Sequence, residues 1–98
     1  IIDLGKVIVN SGSLVTIAIW TYKTASGATG FLRIAKNDEL GMTSYVQADT
    51  SSNSLNTWVK ITTTFTPTAS GLATIQIGGY GSQSTEYIYF DDLEVSQA

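Results

Sequence analysis

The side chains of this 98-residue chain that could do chemistry fall into two groups, flat aromatic rings and a short run of carboxylates. Trp20 and Tyr22 are separated by one residue, so in an extended strand both rings leave the same face. Rings placed in this way can stack on the apolar faces of pyranose sugars while neighbouring polar groups fix the hydroxyls. Tyr45 and Tyr80, in or beside expected loops, are further platform candidates, whereas Trp58, opening a strand beside a loop, reads as structural packing. For every ring the competing reading is cover for a sheet or packing beneath a loop. The dense carboxylates are Asp91, Asp92 and Glu94. Hard oxygen ligands suit calcium rather than zinc or copper, which makes Asp91 and Asp92 candidate ligands of a structural calcium. Calcium takes about six to eight oxygens, so backbone carbonyls and a second segment would have to complete the shell. The alternative is a solvated or bulge-stabilising role, and Asp38-Glu39 reads as a solvated turn.

Several chemistries are excluded by what is missing. The chain has no cysteine and no histidine, which removes disulfides, thiolate chemistry, Ser-His-Asp and Cys-His triads and His-containing zinc sites. Glycoside hydrolysis needs two carboxylates opposed across a cleft, and Asp91 and Asp92 alternate faces of one strand instead. The Gly78-Gly79-Tyr80-Gly81 segment lacks the strand-to-helix setting of a phosphate cradle. The expectation is therefore a protein that is not an enzyme. Five basic and eight acidic residues give a net charge of -3, and the basic residues are scattered, so nucleic acid is not an expected partner. Charged residues make up only 13% of the chain, leaving a polar surface of Ser, Thr, Gly and Asn. Apolar runs fall far short of the roughly 18 residues a membrane helix needs, and no membrane insertion is expected.

These residues must be held by strands. Short β-rich runs recur between Gly, Ser and Asn clusters, and no sustained helical period is present. The spacing predicts strands at Leu4 to Val9, Leu14 to Lys23, Gly30 to Lys36, Thr43 to Gln47, Trp58 to Thr66, Leu72 to Gly78 and Glu86 to Ser96. Seven or eight short strands of this kind define an all-β, antiparallel, jelly-roll-like sandwich forming a single domain over residues 1–98. Alternation assigns the core faces: Val15, Ile17 and Ile19; Val59, Ile61 and Phe65, broken by Thr63; and Ala73, Ile75 and Ile77.

The last strand does not fit one pleat, because Ile88 and Phe90 have one parity and Leu93 and Val95 the other. A β-bulge at Asp91-Asp92 would bring all four to one face. The rival arrangement buries Tyr87, Tyr89, Leu93 and Val95 and turns Asp91 inward. The bulge is preferred, since an unpaired inward carboxylate would cost several kcal/mol.

The series Trp58-x-x-Ile61-x-x-x-Phe65-Thr66-Pro67, Ser70-Gly71, Ile75-x-Ile77 and Tyr87-Ile88-Tyr89-Phe90-Asp91-Asp92-Leu93-Glu94-Val95, with Gly12 to Trp20 upstream, resembles carbohydrate-binding modules with a galactose-binding-like jelly roll. The resemblance covers about three quarters of the chain. It implies a non-catalytic carbohydrate-binding or adhesion module of a secreted, cell-surface or virion protein, hence extracellular, with a glycan or cell-surface polysaccharide as partner. The alternative is a structural interaction domain of a phage virion protein (capsid decoration, head fibre or tail) contacting neighbouring protein subunits. In the family an N-terminal strand precedes the region matching Leu4 to Trp20, and an acidic residue there shares the calcium with an aspartate near the end. That first strand has no counterpart here. With the opening Ile1-Ile2-Asp3, the expectation is a piece of a larger chain with its first strand upstream.

Overall fold

The alternation of β-branched and polar residues produces a strand within each of the seven segments where one was expected. In the computed structural model, which describes residues 2–35, 45–80 and 87–98, the strands are β1 Ile2–Val9, β2 Val15–Lys23, β3 Thr29–Ala35, β4 Tyr45–Asp49, β5 Trp58–Phe65, β6 Gly71–Tyr80 and β7 Ile88–Gln97. No helix occurs among the described residues. The Asp38-Glu39 turn, the Thr43-Ser44 start of the fourth expected strand, Glu86 and the Gly81 end of the glycine-rich loop lie outside them.

The strands form two antiparallel sheets, ordered β1-β6-β3-β4 and β5-β2-β7. β4 faces β5 and β3 faces β2, so the layers make a β-sandwich with jelly-roll-like pairing. Between them lies a core built on Val15, Ile17, Ile19, Leu32, Ile34, Ile61 and Ile75, each nearly free of solvent contact. Every such side chain moved out of water contributes about 1.5–3 kcal/mol, which is what holds two sheets without a disulfide. The three core faces read from alternation are the faces that meet here, with Val59, Thr63 and Ile77 half-buried at the margins.

The bulge in the last strand is present. Ala18 pairs with Glu94 and Trp20 with Asp91, so Asp92 and Leu93 together oppose Ile19. Asp92 takes φ 55, the left-handed region, and Asp91 Oδ1 accepts the Asp92 N–H at 2.9 Å. Phe90, opposite buried Thr21, and Val95, opposite buried Ile17, consequently share the inward face. Burial does not follow completely, however. Ile88 and Phe90 are half-buried, but Leu93 and Val95 stay 40% and 39% exposed because β7 is the edge of its sheet.

Candidate functional site

Cross-strand register builds a second face from residues distant in sequence. Tyr22 lies opposite Trp58 on one side and Tyr89 on the other, and directly opposed residues in a sheet share a face. Trp58, Tyr22 and Tyr89 therefore form a row across β5, β2 and β7 on the outer surface of the three-stranded sheet. The Tyr22 ring centroid is 5.5 Å from Trp58 and 6.1 Å from Tyr89, and Tyr87 stacks on Tyr89 at 6.5 Å. Tyr87 is fixed by its backbone, whose N–H donates to Thr24 Oγ1 while its carbonyl accepts from the Thr24 N–H and hydroxyl.

The next row is Lys60, Trp20 and Asp91. The Lys60 ammonium lies 5.7 Å from the Trp20 ring centroid and 3.4 Å from Glu94 Oε2. That exposed ion pair bridges β5 and β7 beside Ala18, whose small side chain leaves a shallow groove of about 510 Å³ with Thr16, Thr62 and Ser96 along it. An aromatic end thus passes into a charged row and then a hydroxyl-lined groove. Trp58, Tyr87 and Tyr89 are each about half exposed, so the rings present area to solvent without unfolding anything.

Sequence expectations fare unevenly on this face. Trp20 and Tyr22 do leave the same outer face, Trp20 exposed and Tyr22 half-buried at the centre of the aromatic row. Trp58 is not packed inside but exposed and paired with Tyr22, because its parity in β5 is opposite to that of Ile61 and Phe65. Tyr87 and Tyr89 were not singled out as ligand-binding candidates. Their signal was available in the bulge itself, since turning Ile88 and Phe90 inward turns both tyrosines outward. Tyr45 is the first residue of β4, within the strand expected there, and Tyr80 is the last residue of β6; both belong to the opposite surface of the sandwich. Tyr45 stacks with Arg33, whose guanidinium carbon is 4.5 Å from its ring centroid, and Tyr80 ends β6 opposite Thr29. The four tyrosine and tryptophan candidates hence divide between two faces and cannot make one site.

Asp91 sits at the outer edge of the second row and Asp92 at the bulge. Among the described residues no group of three or more acidic side chains gathers around a point where a metal could be held. Within the bulge the Asp92 N–H donates to Asp91 Oδ1. The chemistry the face can perform is stacking, hydrogen bonding and local charge pairing.

No protein-family model, curated protein or solved structure matches the chain. Among the described residues no helix is long and apolar enough to cross a membrane.

Proposed function

We propose that the outer face of the three-stranded sheet binds a glycan or cell-surface polysaccharide, and that the chain is a non-catalytic carbohydrate-binding or adhesion module of a secreted, cell-surface or virion protein. The observation that carries this reading is the row Trp58-Tyr22-Tyr89 beside Trp20, a set of rings on one rigid sheet flanked by hydroxyls and charges. Aromatic planes supply the stacking energy and the neighbouring polar groups supply orientation. Because the rings stand on strands, the platform is pre-formed and loses little freedom on binding.

The test is a glycan array followed by titration calorimetry on the strongest hit, using the native chain, Trp58→Ala and Tyr22→Ala, each with calcium and with chelator. Either substitution should weaken binding at least about tenfold, or about 1.4 kcal/mol. A difference between the calcium arms would assign a cation role to Asp91 and Asp92. If no glycan binds, or if the hits bind the variants unchanged, the reading fails. The second reading, an interaction domain of a phage virion protein, draws on the same exposed rings, because Tyr and Trp also anchor protein interfaces. It gains if glycans fail while the face is covered by neighbouring subunits over well above about 1,000 Å².

A further inference from the structure

Charge is unevenly spread over the aromatic face. Register sets an uncharged row, Trp58-Tyr22-Tyr89, beside the row Lys60-Trp20-Asp91, and beyond that the row Thr62-Ala18-Glu94. The Lys60 ammonium is paired with Glu94 at 3.4 Å, and Glu94 stands in the third row, so the only cation of this face among the described residues is drawn away from the row of rings. Asp91 is different. Its side chain is exposed, its Oδ1 accepts the Asp92 N–H, and among the described residues it makes no ion pair.

The neighbours of Asp91 are rings. Trp20 lies opposite it on β2, Tyr89 precedes it by two residues on the same face of β7, and Tyr22 completes the block diagonally. Such a block measures about 7 Å along the strands and about 5 Å across them, the footprint of one sugar ring. The face of an aromatic ring is negative and attracts an ammonium placed within about 6 Å of its centroid. The chain supplies an instance of its own, since the Lys60 ammonium lies 5.7 Å from the Trp20 centroid. A ligand ammonium over this block would meet the ring faces and also the Asp91 carboxylate, in a charge-assisted hydrogen bond with no internal cation to displace. A carboxylated or sulfated sugar would instead be set against Asp91 and the negative ring faces, in a chain whose net charge is -3.

We propose that the ligand of this face is an amino sugar with a free, protonated amine, seated over Trp20, Tyr22 and Tyr89 with its ammonium on the Asp91 carboxylate. The inference rests on the glycan reading of the face and narrows it to one chemical class. In it Asp91 is a specificity residue: the rings hold any pyranose by stacking, and the carboxylate separates cationic from neutral and anionic ones. Glu94 serves the same selection indirectly, because it holds Lys60, the one cation near the block, in the third row.

The test titrates three β-1,4-linked hexasaccharides into the full 98-residue chain: one of glucosamine, one of N-acetylglucosamine and one of a hexuronate. It is run at about pH 5.5, where a sugar amine, like an α-amino group that titrates at about 7.7, keeps its proton. The glucosamine oligomer should bind at least about tenfold more tightly than the N-acetylated one, with the hexuronate weakest. Raising salt from about 0.1 M to about 1 M, which shortens the screening length from about 10 Å to about 3 Å, should shrink that preference. Asp91→Asn, whose amide oxygen can still accept the Asp92 N–H, should bring the amine and N-acetyl affinities within about twofold of each other. Asp3→Asn changes the net charge equally but lies on the facing sheet, and it should leave the preference in place. The ligand comparison on the native chain decides the question even if a variant folds poorly. The proposal is overturned by equal affinity for the amine and its N-acetylated form, by a hexuronate that binds as tightly, by a preference that survives Asp91→Asn, or by an equal loss in Asp3→Asn. If any of these occurs while Trp58→Ala still weakens binding, the glycan reading stands and the amine is wrong. No binding by the three oligomers, with hits elsewhere on the glycan array, likewise overturns the amine alone; a silent array overturns both.

Discussion

Tyr22 and Trp58 face each other across β2 and β5 with ring centroids 5.5 Å apart and planes inclined at 57°. A tilted pair of this kind is favourable through the ring quadrupoles and holds each ring at a fixed angle to the sheet. Both rings nevertheless lie outside the core, so binding and stability should separate. Trp58→Ala is expected to lower the unfolding free energy by no more than about 1 kcal/mol while removing most affinity for a stacked ligand. Urea unfolding measured beside ligand titration checks it, and a stability loss much larger than this would mean that Trp58 is structural.

Lys23 is 4% exposed at the inner end of β2, and its ammonium donates to the Thr50 carbonyl at 2.7 Å. The Thr50 hydroxyl in turn accepts the Gly30 N–H at 2.9 Å, so one buried lysine ties the end of β2 to the turn that follows β4, beside the start of β3. Lys23→Ala should cost about 2–4 kcal/mol, from the lost hydrogen bond together with the cavity left by the stem. Lys23→Met keeps the stem and removes the buried charge, so it should cost distinctly less. Chemical denaturation of the two variants separates the packing of the stem from the charge.

The Asp49 carboxyl is held below the ordinary aspartate range, first by the Ser51 hydroxyl at 2.7 Å and then by the Ser51 N–H at 3.0 Å, with Gln47 and Lys23 adding to the effect against the opposing cost of burial. Because the folded value is depressed, the stabilisation is fully present above the unfolded value of about 3.9 and is lost as the pH falls through the lower folded value. Melting temperatures between pH 7 and pH 2 should show a drop beginning near pH 4 that is smaller in Asp49→Asn. Parallel curves for the two proteins would remove Asp49 from the acid response.

Asp92 adopts φ 55 at the bulge, a conformation that side chains branched at Cβ resist most. Asp92→Gly should be neutral or slightly stabilising, whereas Asp92→Ile should cost about 1–2 kcal/mol. Equal thermal stabilities for the two variants would mean that the bulge does not depend on that backbone geometry.

Gly78 lies directly beneath the Phe31 ring, where an added Cβ would overlap it, and Phe31 is also held by the Arg33 guanidinium 3.9 Å above its centroid. Gly78→Ala should destabilise by about 1–3 kcal/mol through this crowding. The same change in a Phe31→Leu background should cost less, and a double-mutant cycle with no coupling would contradict the contact.

Much of the fold was legible because strand alternation is a local signal with a period of two. Val15, Ile17 and Ile19 announce a core face from their spacing alone, and the parity conflict between Phe90 and Leu93 announces the bulge found at Asp92. The site was legible only in part. Trp20 and Tyr22 share a face through strand geometry, but Trp58 and Tyr89 reach Tyr22 only through the β5-β2-β7 order, which depends on pairings between segments tens of residues apart. Tyr45 and Tyr80 are candidates through their expected place in or beside loops, and the layer to which each strand belongs separates them from Trp20 and Tyr22.

The sequence by itself determined an all-β chain, its core faces, its bulged last strand and the absence of thiol and imidazole chemistry, since all of these follow from residue identity and neighbour spacing. Tertiary structure alone decided which rings become neighbours, that Lys23 is buried against Thr50, and that β7 is the outer strand of its sheet among the described residues. Those outcomes depend on which strand lies beside which, and that order is set by long-range pairing and layer packing that no local window contains.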